Sequence, residues 1–242
     1  MAPIVAADGK VFVLDGESTV SAVSADTGAV LWKVNVKNAD RDRNGGFGGG
    51  VAVGAGKVFV SSGYRSMSAL DANTGAVIWT QQVDAPIHGA PTVSGNRVFV
   101  VDVDSQLFAF DAATGAQDWT YRGIAEPARV MRASSPAVSG TTVVAPFASG
   151  QLVALSTLNG QAVWEETLSR TSRTSALSEV RDVAGRPVIS RGMVYGVSHS
   201  GVMSALDLRS GQPKWQLPVT GVNAPLPVGD AVFVVSLSLI HI

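Results

Sequence analysis

Three histidines, His88, His199 and His241, are the side chains in this 242-residue chain best suited to moving protons or ligating a metal near neutral pH. None stands at ligand spacing from another. No serine sits in a Gly-x-Ser-x-Gly elbow where a histidine could activate it. Asp102 and Asp104 flank the end of an apolar run. Strand alternation puts both carboxylates on one side, as a paired-acid site requires, but a polar turn accounts for them equally well. The run Gly45-Gly-Phe-Gly-Gly-Gly50 could offer backbone amides to a phosphate. It lacks the Lys-Ser/Thr that should follow and opens no helix, so it reads as a flexible lead-in to the next strand. Cysteine is absent, which removes disulfides, thiolate metal sites and a cysteine nucleophile from this segment. These residues predict no catalytic site, no metal and no cofactor.

The elements that would position any site are defined by tryptophan. All five close the same phrase: Asp26-Thr-Gly-Ala-Val-Leu-Trp32, Asn73-Thr-Gly-Ala-Val-Ile-Trp79, Ala113-Thr-Gly-Ala-Gln-Asp-Trp119, Leu158-Asn-Gly-Gln-Ala-Val-Trp164 and Arg209-Ser-Gly-Gln-Pro-Lys-Trp215. Glycine precedes tryptophan by four residues each time, at Gly28, Gly75, Gly115, Gly160 and Gly211, and successive tryptophans are 47, 40, 45 and 51 residues apart. Such a period, holding several short strands, marks a β-propeller blade.

Within each period a proline-marked apolar stretch precedes a continuous hydrophobic run, such as Lys57-Val-Phe-Val60, which suits a strand covered on both faces. A third strand, such as Met67-Ser-Ala-Leu-Asp71, leads into the glycine turn, and the tryptophan opens the fourth. In the turn, aspartate supplies an acceptor for backbone amides and glycine supplies positive φ. The indole is read as a wedge between neighbouring blades.

The chain is thus expected to be all-β, a propeller of four-stranded antiparallel blades, with five blades and the start of a sixth (Pro225 to Val235) forming an open arc. Residues 1–236 are expected to make a single propeller domain. Residues 237–242 break the pattern and resemble the translated end of a sequencing adapter, and the chain is read as a fragment. A formal net charge of −1 supplies no broad field for nucleic acid or a membrane surface, and no apolar run approaches the ~20 residues of a membrane helix.

The connections from a tryptophan strand to the next blade differ in length. In a repeat fold they emerge on one rim, where extra length marks a binding face. Two long ones, in neighbouring blades, carry Arg122, Arg129, Arg132, Arg170, Arg173 and Arg181, with Glu126, Glu179 and Asp182. Arginine beside Val130, Met131, Leu177 and Val180 suits a protein contact.

The Ala-x-Asp-x-x-x-Gly-x-x-x-Trp repeat resembles the pyrroloquinoline-quinone type of propeller repeat. The stretch from Asp182-Val-Ala-Gly-Arg-Pro through Met203-Ser-Ala-Leu-Asp-Leu-Arg-Ser-Gly-Gln-Pro-Lys-Trp215, with Met131-Arg132-Ala-Ser-Ser-Pro136, is similar to the BamB family of the outer-membrane β-barrel assembly machinery. That resemblance implies an eight-bladed, lipid-anchored propeller at the periplasmic face of the outer membrane. It would bind the periplasmic domains of the barrel insertase and assist barrel folding and insertion, with unfolded outer-membrane proteins as further candidate partners. It also implies that Met131, Arg132 and Asp182 contact the partner from an exposed rim. Arg129 and Ala184 stand where the family carries a leucine and a second aspartate. Arg181 adjoins the same patch. A quinone-dependent dehydrogenase and a sensor or adaptor propeller share the repeat and remain alternatives.

Overall fold

The computed structural model describes residues 4–37, 47–124, 134–168, 182–183 and 185–236. Among these residues every regular element is a strand, and the strands form five four-stranded antiparallel sheets and one two-stranded sheet. The chain divides into two compact units, Met1–Val103 with Phe108–Thr120, and Asp104–Leu107 with Tyr121–Ile242.

In the first unit, β1 (Val5–Ala7), β2 (Lys10–Leu14), β3 (Thr19–Ser24) and β4 (Val30–Asn35) form one sheet. The next is built from β5 (Gly50–Gly54), β6 (Lys57–Ser61), β7 (Ser66–Asp71) and β8 (Val77–Gln82). The third contains β9 (Thr92–Ser94), β10 (Arg97–Val101), β11 (Gln106–Asp111) and β12 (Gln117–Arg122). The second unit adds β13 (Ala137–Ser139), β14 (Thr142–Pro146), β15 (Gln151–Ser156) and β16 (Ala162–Thr167). It continues with β17 (Val188–Ser190), β18 (Met193–Val197), β19 (Met203–Asp207) and β20 (Pro213–Leu217), then a hairpin of β21 (Leu226–Val228) and β22 (Ala231–Phe233). Each sheet is an open meander whose strands pair in chain order, as the repeat predicts.

The cores lie between sheets, and alternation explains why second strands read as unbroken apolar runs. On β6, Val58 and Val60 enter a cluster with Phe12, Leu14, Val20 and Leu70. Phe59, between them, enters another with Met67, Trp79, Val98, Val100 and Phe110. A strand with two buried faces has no polar position to spare.

The fourth strands differ from expectation. They begin before the tryptophan, at Val30, Val77, Ala162 and Pro213 in four of the sheets, and each bulges there. Ala69 faces Trp79 while Leu70 faces Val77, so Ile78 has no opposite number and is left exposed. The extra residue lets the strand turn its indole inward while the preceding aliphatic pair stays outside.

Turn chemistry follows the sequence reading. The Asp71 carboxylate accepts the Asn73 and Thr74 amides and the Thr74 hydroxyl at 2.8–2.9 Å. Asp111 and Asp207 repeat the pattern. These bonds hold all three carboxyls below the usual range, with the Thr74 and Thr114 amides leading at the first two and the Ser210 hydroxyl at the third.

The glycine has a second duty that φ alone does not reveal. Gly115 has φ +75°, and a Cβ there would lie 2.6 Å from the Trp79 ring of the preceding sheet. Gly75 meets Trp32 and Gly211 meets Trp164 in the same way, at 2.8 and 2.7 Å. Each of these indoles also donates Nε1–H to the carbonyl three residues before the glycine: Trp32 to Ala72, Trp79 to Ala112, Trp164 to Leu208.

Two glycines therefore separate backbone strain from packing. Gly95 has φ +56°, and a Cβ added there would meet nothing within 4 Å, so Gly95→Ala is expected to cost about 1–2 kcal/mol through its left-handed backbone alone. Gly115→Ala should cost about 1–3 kcal/mol more, from overpacking against the indole. Urea unfolding of both variants measures the difference, and equal losses would show that the indole contact contributes nothing.

Candidate functional site

The two connections singled out by sequence leave and return through described residues of the second unit. The first leaves β12 by Tyr121-Arg122-Gly123-Ile124 and returns at Ser134-Ser135-Pro136. The second leaves β16 at Leu168 and returns at Asp182-Val183. Arg129, Met131, Arg132 and Arg181 lie outside the described residues, as does Ala184.

Both stems are fastened to one structure, the turn Phe147–Gly150 between β14 and β15. Phe147 is 1% exposed. Tyr121 stacks on its ring at a centroid distance of 6.0 Å. Gly123 passes so close that a Cβ would lie 2.9 Å from the same ring. From the other side, the Val183 amide donates to the Phe147 carbonyl at 3.4 Å and the Leu168 amide to the Gly150 carbonyl at 2.8 Å. The described stems of both connections are thus held on two sides of one turn.

Asp182 corrects an expectation. It is 7% exposed, not an open rim residue. Its carbonyl accepts the His199 amide at 3.0 Å, from the turn between β18 and β19 of the following sheet. Val183 beside it is fully buried in the cluster of Leu152, Trp164, Leu168, Val194 and Leu206. The next described residue, Gly185, abuts Asn223, whose carbonyl would stand 2.7 Å from a Cβ. The connection is thus stitched between the turns of two adjacent sheets, and the stitching pulls Asp182 inward. A buried backbone must find such partners. The first unit makes the same stitch at Pro86-Ile87: the Ile87 amide donates to Tyr64 and the Val103 amide to Pro86, at 2.8 and 2.9 Å. That recurrence is a backbone pattern with no side-chain signature, so sequence reasoning missed it.

The remaining candidates resolve into structure. Phe47 packs edge-on against His88 at 5.6 Å, and the Gly49 amide donates to the His88 carbonyl at 2.6 Å. Within the described end of the glycine run, Gly48 and Gly49 make a close backbone approach, because a Cβ at either would collide with His88, Ser61 or Gly63. Asp102 is buried and Asp104 exposed, both in the turn beyond β10, where strand alternation no longer applies. The His199 Nδ1 is buried without a hydrogen-bond partner among the described residues. Among the same residues, no three of the His, Asp and Glu side chains are grouped to hold a metal ion.

Near the first stem, Tyr121 donates its hydroxyl to Glu165 Oε1 at 2.8 Å. Burial, then the hydrogen bond and the charge of Glu165, push the phenol up to about 12. The adjacent Glu166 carboxyl is raised by burial. The Tyr121–Glu165 hydrogen bond ties the first stem to β16.

Comparison with known proteins gives a consistent answer. The family model described as outer membrane protein assembly factor BamB matches residues 16–242. A curated protein of that name from Salmonella typhimurium is 30% identical over 102 residues, 42% of this chain and 26% of that protein. The matched stretch is thus about a quarter of the curated relative's length. The crystal structure of BamB from Moraxella catarrhalis superposes with a TM-score of 0.85 at 22% identity, over 96% of this chain and 68% of that one. A quinohemoprotein alcohol dehydrogenase, ADHIIG from Pseudomonas putida HK5, superposes with a TM-score of 0.73 at 17% identity, over 91% of this chain and 43% of that one. At such identities the two structures speak for the fold, which is the β-propeller.

The Tyr121 contact has a measurable signature at alkaline pH. Its folded pKa, about 12, lies above the ordinary 10. The stabilisation is therefore complete below pH 10 and is lost as pH rises towards 12. Tyr121→Phe should lose less stability than the unmodified chain across that window in denaturant titrations. Parallel losses would place the phenol in a solvent-like setting.

Proposed function

The chain belongs to the outer membrane protein assembly factor BamB family, and from that membership we propose that it is a non-catalytic scaffold for assembling outer-membrane β-barrel proteins. It acts at the periplasmic face of the outer membrane, held there in the whole protein by a lipid anchor. Its partner is the periplasmic portion of the barrel insertase, and unfolded barrel proteins are a further candidate. Neither nucleic acid nor a cofactor has a part in this reading.

The observation that carries it is the family match over residues 16–242. The site reading draws support from the common root of the two connections on Phe147 and Gly150. In that reading Arg132 presents a planar fork to a partner carboxylate and Met131 supplies adaptable apolar area beside it. Arg129 and Arg181 add positive charge around them. Asp182 contributes from a buried position, where the second connection returns to the seam. The likeness to a quinohemoprotein alcohol dehydrogenase is one of fold and does not carry that protein's chemistry to this chain.

Capture by the immobilised periplasmic domains of a barrel insertase tests the proposal. Arg132→Glu is expected to weaken capture by about 2–5 kcal/mol, as for one member of a desolvated charged contact, with thermal stability unchanged. Asp182→Asn, which keeps shape and removes charge, should weaken capture and also lower the melting temperature, since the residue is buried. Full capture by both variants would remove this patch from the interface.

A further inference from the structure

Trp164 and Leu168 fasten β16 to the following sheet at two points. The Trp164 indole donates to the Leu208 carbonyl at 2.8 Å, and the Leu168 carbonyl accepts the Ser200 hydroxyl at 3.2 Å. β16 and the segment 200–208 around β19 therefore run past each other in opposite directions, with residue 164 beside 208 and residue 168 beside 200. Glu166, midway between the two fastenings on one side, comes opposite Ser204, midway on the other. Strand pairing places them the same way. Glu166 stands beside Leu152 and Ser204 beside Gly196, and a Cβ on Gly196 would lie 2.6 Å from the Leu152 Cδ1 across the seam. Alternation turns Glu166 to the face of Trp164 and Leu168, both buried in the seam cluster.

Neither side chain is settled there. Ser204 is fully buried, and its hydroxyl has no hydrogen-bond partner among the described residues, a defect that folded proteins normally avoid. Its counterpart in the second sheet, Ser68, bonds the Thr80 hydroxyl of the outer strand at 2.9 Å, whereas Ser204 has Gln216 at that position. Glu166 is half-buried, and burial raises its carboxyl. The same count from the indole bonds of the first unit puts Val34 opposite Ser68 and Gln81 opposite Phe108, both uncharged. The other titratable groups on the elements packed around Glu166 are engaged elsewhere. Glu165 points to the opposite face and accepts from Tyr121. Tyr195 of β18 lies against Trp215 on the far side of its sheet. Asp207, at the end of β19, caps its own turn with Lys214 of β20 nearby. His199 and Asp182, joined through their backbones, close the end of the seam beyond Leu168. β14 and β15 carry no titratable side chain.

We propose that Glu166 and Ser204 form a pH-operated latch in this seam: the protonated carboxyl swings onto the Ser204 hydroxyl and closes the seam, and the ionised carboxyl turns out to water and releases it. A neutral carboxyl can both donate to and accept from the hydroxyl and is buried at little cost, whereas a carboxylate drawn into the seam would give up its hydration. Burial holds the folded carboxyl above the ordinary 4.5. The stabilisation is therefore fully present below pH 4.5 and is lost as pH rises through the raised value. The second connection feels the latch directly. Leu168 and Val183, its two described ends, belong to the same cluster as Trp164, and the Leu168 amide donates to the Gly150 carbonyl. Acid thus firms the root of that connection and ionisation loosens it. The inference rests on the geometry of the seam and is independent of the proposed insertase contact.

A carboxyl-carbon NMR titration of Glu166 in the full chain decides the matter, because the two roles open to Ser204 move the midpoint in opposite directions. Ser204→Ala is expected to lower the midpoint towards the ordinary value, since the protonated form loses its partner. A rise would show that the hydroxyl serves the ionised form, and no change would show that the two groups never meet; either result overturns the proposal. Glu166→Gln keeps the shape and removes the charge. It should raise the urea midpoint at about pH 7 and leave it nearly unchanged at about pH 4, with the gain lost once Ser204→Ala is added. Protection of the Leu168 amide against hydrogen exchange should rise about fivefold between those pH values in the unmodified chain relative to Glu166→Gln, the equivalent of one net hydrogen bond. The same pH response in both proteins would sever the latch from the second connection and sink the inference.

Discussion

The seam between sheets depends on an indole laid over a glycine. A four-stranded sheet with both faces apolar cannot stand alone in water, so each must be sealed against a neighbour. Trp79 does this at one stroke: its ring covers Gly115, its N–H satisfies the Ala112 carbonyl, and its inner face meets Phe59 at 5.9 Å. The geometry leaves no room for a Cβ and demands a left-handed backbone at the same residue. Glycine is therefore required twice over. The hydrogen bond contributes about 1 kcal/mol net, and its greater value is directional, because it fixes which turn of the next sheet the ring can cover.

The candidate site inherits its order from those seams. Leu168, Val183 and Trp164 share one cluster, so the second connection leaves and re-enters directly beside an indole socket. The first connection meets the same region through Phe147, which is held by Tyr121 and Gly123 on one side and accepts the Val183 amide on the other. The described stems of two successive connections thus share one turn, Phe147–Gly150. Burial of Asp182 has the same origin. Its backbone closes the gap between two turns, and the side chain goes where the backbone takes it.

Electrostatics is secondary in this fold. The ion pair Arg97–Asp118, at 2.8 Å, is about 30% exposed on each side and joins the outer strand to the second strand across a surface that water screens. The turn carboxylates act locally, organising amides within a few residues. Neither kind of contact selects which sheet packs on which.

Sequence by itself determined the repeat, the four-stranded meander and the turn chemistry. Each is local: a glycine with positive φ, an aspartate that caps its own turn, and an apolar run that needs cover on both faces leave their marks within a few residues. It also identified the tryptophans as inter-blade elements, and the family resemblance agreed with the match over residues 16–242. Only the tertiary structure decided that the glycine lies under the tryptophan of the preceding sheet, that Ile78 and its counterparts are bulged outward, that Gly48 and Gly49 are packed against His88, and that Asp182 is buried. The reason is common to all four. Each depends on which backbone groups lie opposite one another once the strands have paired and the sheets have packed. Backbone atoms are the same in every residue, so side-chain sequence carries no record of their partners.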